Sequence, residues 1–336
     1  MRVGVLLPFS NGSATTRTLA KGLMNAAELA LFDARNPDLL LMPGDEGASP
    51  RQAAAAARTL ISEGAEIIIG PLFAPSVSAV APVVRDHGIA LIGLSTDRSV
   101  GGDGVYLLSY QPETEVQRVV SYSASRGHTN FTAVIPRTAY GDRVLAAFKA
   151  EAAKDHVTVR AVLRYDSGTP DLSQTASAAS SSGADAILIA QGGQQLAAMA
   201  AQLGNPHPQL LGTGLWSEKS LLHESSLSGG WFAAPPAEAD AAFQARYRSA
   251  YRSTPPQLAT LAYDAVSLVA ALSKGAPYHR FTDAALTDPD GFSGVSGIFR
   301  FMANGSCERG LAILRVEPDG FHIVDPAPQS FQAKAS

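Results

Sequence analysis

Two short segments of this chain begin as catalytic or cofactor motifs begin, and neither completes one. Gly93-Leu94-Ser95-Thr96-Asp97 opens like a nucleophile elbow but lacks the closing glycine that lets the strand turn sharply into a helix. Gly212-Thr213-Gly214-Leu215-Trp216-Ser217 opens like a dinucleotide fingerprint and places Ser217 where the third glycine belongs. The histidines, His87, His128, His156, His207, His223, His279 and His322, are scattered without i,i+4 pairing or an acidic partner at metal-ligand spacing. Cys307 is the only cysteine, which excludes an internal disulfide and a cysteine-based zinc site, and no activating base lies near it in sequence. No nucleophile, base and orienting group assemble from neighbouring motifs, so the sequence argues against an enzyme and calls for no cofactor and no metal. The chemistry that remains is recognition. Hydroxyls and backbone N–H groups at helix starts stabilise an anionic group, and a carboxylate with an aromatic face suits an ammonium group.

Those residues must be positioned by a regular scaffold, and the hydropathy pattern describes one. Short Val/Ile/Leu runs alternate with longer Ala-rich amphipathic segments, as in buried parallel strands joined by helical crossovers. Strands are predicted at Arg2–Leu7, 39–43, 67–70, Ala90–Gly93 and 106–108, with helices at 19–34, 50–63 and 75–87 and Ser49 placed to cap the second of these. From about Glu113 the alternation restarts. Helices are expected at 113–126, 142–154, 172–182 and 195–203, and strands at 132–136, Thr158–Tyr165, 186–190 and Gln209–Gly212. Two further helices, 237–251 and 258–273, precede strands at 297–302, 311–316 and 320–324 around turns at Ala303-Asn304-Gly305 and Pro318-Asp319-Gly320. The fold class is therefore α/β, with two doubly wound parallel-sheet lobes and a chain that passes between them more than once. At 336 residues, two domains are expected. In open α/β sheets ligands gather at the carboxyl ends of the strands, so function is sought in the loops at 8–12, 70–76, 94–98, 136–142, 191–194 and 213–218.

Charge narrows the partners. Lys plus Arg number 26 against 30 Asp plus Glu, a net charge of -4, with no segment concentrating basic residues, so nucleic acid is not an expected partner. The longest apolar runs fall far short of the roughly 20 residues that span a bilayer.

Seven segments carry a resemblance. Val3-Gly4-Val5-Leu6-Leu7-Pro8, Gly22 with Ala26-Ala27-Glu28-Leu29-Ala30, Gly64-Ala65-Glu66-Ile67-Ile68-Ile69-Gly70-Pro71, Val80-Ala81-Pro82-Val83, Gly88-Ile89-Ala90-Leu91-Ile92, Ser95-Thr96-Asp97 and Ala139-Tyr140-Gly141 run in the order and spacing of one family. Together they resemble the branched-chain amino-acid (Leu/Ile/Val-binding) receptors among the type I periplasmic solute-binding proteins, over nearly the whole chain. Gly70-Pro71-Leu72-Phe73-Ala74 and Ser95-Thr96-Asp97-Arg98-Ser99 are similar to a subgroup labelled as penicillin-binding protein activators.

The resemblance implies a type I fold whose lobes, 1–112 plus 235–292 and 113–234 plus 293–330, are joined by a multi-strand hinge around a ligand cleft. It implies that Leu94, Ser95 and Thr96 hold a ligand's charged groups, although Ser and Thr after a strand also cap turns. It places Ala74 where the family carries a hydroxyl, with Ser76 two residues on. Tyr140 matches an aromatic that closes over the ligand, and the acid for the ammonium group is expected near 213–218, where Glu218 and Trp216 stand; Gln194 completes the expected ligand-binding set. The implied function is extracytoplasmic: binding an amino acid or related zwitterion and delivering it to the permease of an ABC transporter. A periplasmic location follows, with the export signal removed and a lipid anchor left open. The alternative implied by the subgroup is an interaction protein that activates a cell-wall synthase.

Overall fold

Strand β1, Arg2–Leu7, fixes the arrangement of the first sheet through alternation. Val3, Val5 and Leu7 point into one apolar cluster and Leu6 into another, all wholly buried, so both faces of the strand are covered. The computed structural model describes residues 1–166, 168–169, 171–203, 207–236 and 240–332. Helix α1, Ala14–Ala34, starts five residues before its apolar stripe because the Ser13 hydroxyl accepts the Thr16 N–H and nucleates an earlier first turn. Strand β2, Leu40–Asp45, runs through Pro43 and Gly44, which an edge strand tolerates. Helix α2, Pro50–Ser62, is capped by Ser49 as expected. Then come β3, Ile67–Ile69, α3, Ala74–Asp86, β4, Ala90–Gly93, and β5, Val105–Leu107. The parallel sheet has the order β2-β1-β3-β4-β5.

The second unit repeats the plan with α4, Pro112–Ser125, β6, Asn130–Pro136, α5, Ala139–Lys154, β7, Thr158–Tyr165, α6, Ser173–Ser180, β8, Ala186–Ile189, α7, Gly193–Gln202, β9, Gln209–Gly212, and β10, Trp231–Ala234. The chain then adds α8, Ala241–Tyr251, α9, Ala259–Leu272, α10, Asp283–Leu286, β11, Phe292–Gly294, β12, Gly297–Phe301, and β13, Cys307–Arg309, before closing with β14, Ala312–Glu317, and β15, Gly320–Asp325. The start expected for the helix at 237 lies outside the described residues. The second sheet has the order β15-β14-β10-β9-β8-β6-β7, and β14 and β15 run antiparallel at its edge. Val134, Ile187, Ile189 and Leu210 face one cluster, and Phe131, Ala133, Ile135, Leu188 and Leu211 face the other. Strand β10 is absent from the sequence reading, since Trp231-Phe232-Ala233-Ala234 alternates in neither size nor polarity.

The chain divides into Met1–Gln111, Ala237–Gly310 and Gln329–Ser336 as one unit, and Pro112–Pro236 and Leu311–Pro328 as the other. This corrects the expected boundary at 292. Strands β11 to β13 form a separate three-stranded sheet, and their Phe299, Phe301 and Cys307 lie in the cluster built on β1, β3 and α9. Phe301 packs on Tyr106 of β5 at 5.3 Å between ring centres, and the Gly305 carbonyl in the β12–β13 turn accepts the Leu107 N–H. Area and hydrogen bonds therefore tie residues 292–309 to the first unit. No described helix is long and apolar enough to cross a membrane.

Candidate functional site

At the carboxyl end of the first sheet, the loops are held by groups that the fold itself uses. Glu46, directly after β2, is buried, and its carboxylate accepts the backbone N–H groups of Leu72 at 2.9 Å and Phe73 at 3.2 Å. It thereby caps α3, whose N-cap residue Phe73 offers no side-chain oxygen. Burial pushes its pKa up, and the same carboxylate engages the hydroxyl of Ser76. Ser76 is thus mostly buried and held by Glu46. Leu94 is also buried; its N–H donates to the Pro71 carbonyl at 2.9 Å and its carbonyl accepts the Ser109 hydroxyl. The buried Ser95 hydroxyl accepts the Asp97 N–H at 3.1 Å, and Asp97 accepts the Ser99 N–H, so this pair caps a 3₁₀ turn at Arg98–Val100. Of the loop expected to touch a ligand, Thr96 is the exposed member. A depression of about 330 Å³ lies at the same end, lined by Asn11, Ser49, Phe73, Pro75 and Ser76 among others.

Behind these loops the same unit buries an ion pair. Arg309 of β13 lies 3.7 Å from Asp264 of α9 and stacks over the Tyr110 ring at 4.6 Å. Asp264 accepts the Val295 N–H, and burial raises its pKa to about 6. Cys307 is buried two residues before Arg309, and burial pushes its thiol up to about 11, so it is a packing residue and not a nucleophile.

The carboxyl end of the second sheet gathers a second set of polar groups. The Thr138 hydroxyl caps α5 by accepting the Gly141 N–H, which sets Tyr140 on the first turn with its hydroxyl sharing a 2.8 Å hydrogen bond with the buried Thr213 hydroxyl. Across from it, Glu115 in the first turn of α4 accepts the Gly214 N–H at 2.9 Å. A Cβ at position 214 would lie 2.8 Å from the Glu115 carboxylate, so the glycine is what lets the carboxylate sit against this loop. Burial raises the pKa of Glu115 to about 7, and neighbouring Glu113 pushes in the same direction. Burial and the charge of Glu115 together push the Tyr140 phenol above its ordinary value. The Tyr165 hydroxyl donates to the Gln191 side chain at 2.9 Å, and Gln191 in turn donates to Gln195. Sequence reasoning missed Glu115 because α4 opens the second unit far from any strand-end loop in sequence; only the fold places it beside residue 214.

Trp216, expected in the ligand-binding set, lies inside the second unit. Trp216 is wholly buried, its indole lies over Gly212, where a Cβ would meet the ring at 2.2 Å, and its N–H donates to the Gln191 carbonyl at 3.0 Å. It supports the loop and offers no face to a solute. Gln194 and Glu218 are both exposed, with Glu218 near the start of α7 beside Gly193. The fold thus brings Tyr140, Thr213 and Glu115 together, sets Gln194 and Glu218 at the neighbouring helix start, and turns Ser76, Leu94, Ser95 and Trp216 inward. Among the described residues, no group of three or more His, Cys, Asp or Glu is placed to hold a metal ion.

Comparison with known proteins agrees with this architecture. Among solved structures, a proposed branched-chain amino acid ABC transporter from Rhodospirillum rubrum superposes with a TM-score of 0.87 at 17% identity, over 96% of this chain and 99% of its own. An ABC transporter substrate-binding protein from Desulfitobacterium hafniense, in complex with Leu, gives 0.71 at 22% identity over 96% and 99% of the two chains. A solute binding protein of an ABC transporter from Rhodopseudomonas palustris BisB5, in complex with 3,4-dihydroxy benzoic acid, gives 0.70 at 18% identity over 100% and 98%. At these identities the likeness establishes the type I fold. A curated relative, an uncharacterized protein of Rickettsia prowazekii (strain Madrid E), is 21% identical over 144 residues, and the match spans 43% of this chain and 38% of that protein's length. The sequence model described as "Periplasmic binding protein" matches residues 1–320. Two doubly wound α/β units and a family match over nearly the whole length lead to one assignment: the chain belongs to the periplasmic binding protein family, whose members work outside the cytoplasm.

Proposed function

We propose that this protein is a solute receptor that binds an amino acid or a related zwitterion and delivers it to the permease of an ABC transporter. The observation that carries the reading is the grouping of Glu115, Tyr140 and Thr213 at the carboxyl end of the second sheet. An anionic carboxylate beside an aromatic ring is the environment an ammonium group favours over water when both are partly desolvated. In the first unit, Thr96 is exposed in its loop after β4 and carries the hydroxyl that the resemblance assigns to a solute; in the second, Gln194 and Glu218 are exposed near the start of α7. Calorimetric titration with the twenty common L-amino acids tests this: one or a few bind with 1:1 stoichiometry, and Thr96→Ala and Tyr140→Ala each weaken the interaction about tenfold or more, the worth of one hydrogen bond or ring contact. Absence of heat with every one of them sinks the amino-acid reading.

A second reading has an observation of its own. Ser76, Leu94 and Ser95 are engaged within the fold, and Ala74 carries no hydroxyl, so the first unit offers a solute fewer side-chain groups than the sequence led one to expect. A protein of this fold that acts by docking on a cell-wall synthase needs no such groups. Co-purification with a synthase together with no solute binding favours this alternative.

A further inference from the structure

A cavity of about 750 Å³ lies at the amino end of the first sheet, the end opposite the strand-end loops described above. The residues that lead into β3, β4 and β5 bound it on one side and the segment that leads into α10 on the other, all of them in the first unit. Ile89, Ala90 and Phe281 give it an apolar wall, and three carboxylates, Glu66, Asp103 and Asp283, stand against one guanidinium, Arg85. Helices α2 and α3 end on this side of the sheet, and their last carbonyls add partial negative charge.

The fold places these carboxylates. Tyr106, buried in β5, donates its hydroxyl to one oxygen of Asp283 and so orients the carboxylate, whose other oxygen is left for a ligand. Asp103 sits in a turn where Gly102, Asp103 and Gly104 have φ of 95°, 49° and 82°. Arg85 holds that turn by donating to the Asp103 carbonyl at 2.9 Å and the Gly102 carbonyl at 3.1 Å, and it stands 4.0 Å from the Asp103 carboxylate, which is 91% exposed. Glu66 is better compensated, since it accepts the Arg2 N–H at 3.3 Å and lies 3.9 Å from Arg280. Among the described residues, no three acids converge as a metal ion requires. The two less compensated charges stand on separate elements, Asp283 at the start of α10 and Asp103 ahead of β5, with apolar surface in the same cavity.

We propose that this cavity is a second ligand site, which takes a short alkyl diamine. One ammonium group pairs with Asp283 and the other with Asp103, while the methylene chain covers Ile89, Ala90 and Phe281. A monoamine forfeits one of the two charged contacts, and a metal ion has neither a converging ligand set nor a chain to lay on the apolar wall. The site stands independently of the solute-receptor reading, because its residues lie at the other end of the strands.

Calorimetry and thermal denaturation of the full chain with 1,5-diaminopentane test this, at about 0.15 M ionic strength so that diffuse surface attraction is screened. Titrations with 1-aminopentane and with magnesium chloride at the same ionic strength provide the comparison. The expected result is a 1:1 complex, a thermal midpoint raised by about 2 °C at about ten times the dissociation constant, and a monoamine bound about tenfold more weakly. Asp283→Asn keeps an amide oxygen for Tyr106, and Asp103→Asn keeps a residue that tolerates positive φ, so both fold with midpoints near that of the parent protein. Each weakens diamine binding about tenfold. A diamine that does not bind, that binds both variants as well as the parent, or that binds no better than the monoamine or magnesium overturns the proposal.

Discussion

At the scale of single residues, a helix-borne acid, Glu115, stands against the loop at Gly214, while the loop acid Glu218 is exposed near the start of α7. The resemblance points to Glu218 because it stands near 213–218; Glu115 carries no such mark, because nothing in the first turn of an amphipathic helix sets one acid apart from another that favours the helix dipole. The same residue carries a stability prediction whose sign is fixed by linkage. Its carboxyl pKa is raised from 4.5 in the free side chain to about 7 in the folded chain, so the folded state keeps a proton that the unfolded chain releases in between. That contribution is fully present below about pH 4.5 and is lost as pH rises through about 7. Glu115→Gln, uncharged at every pH, therefore stabilises the protein at pH 8 relative to the parent by about 1–3 kcal/mol, and the advantage vanishes near pH 4. Urea unfolding at the two pH values checks this, and an equal difference at both contradicts it. Ser49→Ala is the simpler case: losing the hydroxyl that accepts the Gln52 N–H lowers stability by about 1 kcal/mol without touching the site.

At the scale of elements, strands and helices with strong periodicity were legible before the structure, and the errors have particular causes. The α1 start moved because Ser13 caps it, and β10 was passed over because a four-residue strand of Trp, Phe and two alanines carries no alternation. The β11–β13 sheet was placed in the wrong unit because sequence order says nothing about which cluster Phe299 and Phe301 enter. The strand-end loops are legible from the strand pattern, yet which of their residues turn inward depends on partners remote in sequence: Glu46 for Ser76, Gln191 for Trp216. The support under the second-unit loop is testable. Gly212→Ala brings a Cβ against the Trp216 ring, so it destabilises the protein by about 1–3 kcal/mol or more and displaces the Thr213–Gly214 backbone of the proposed site. A loss of solute affinity accompanying the lowered thermal midpoint is expected; an unchanged midpoint contradicts the packing account. In the first unit, Asp264→Ala leaves Arg309 buried without its counter-charge and costs about 3–5 kcal/mol, whereas replacing the pair together by apolar residues of similar size costs much less.

At the scale of the whole molecule, the chain crosses between its two doubly wound units after Gln111, Pro236, Gly310 and Pro328, and the family assignment rests on a match that spans both. The fold does not choose a solute, since relatives of the same architecture were solved with Leu and with an aromatic acid. The choice here follows from the chemistry of Glu115, Tyr140 and Thr213, and it makes one central claim, that the protein holds a small zwitterion. Native mass spectrometry of the protein, before and after incubation with the pooled twenty L-amino acids, addresses that claim most directly. The account predicts a 1:1 complex whose added mass, released on denaturation, is that of an amino acid. The mass of the bare chain in both samples would contradict it.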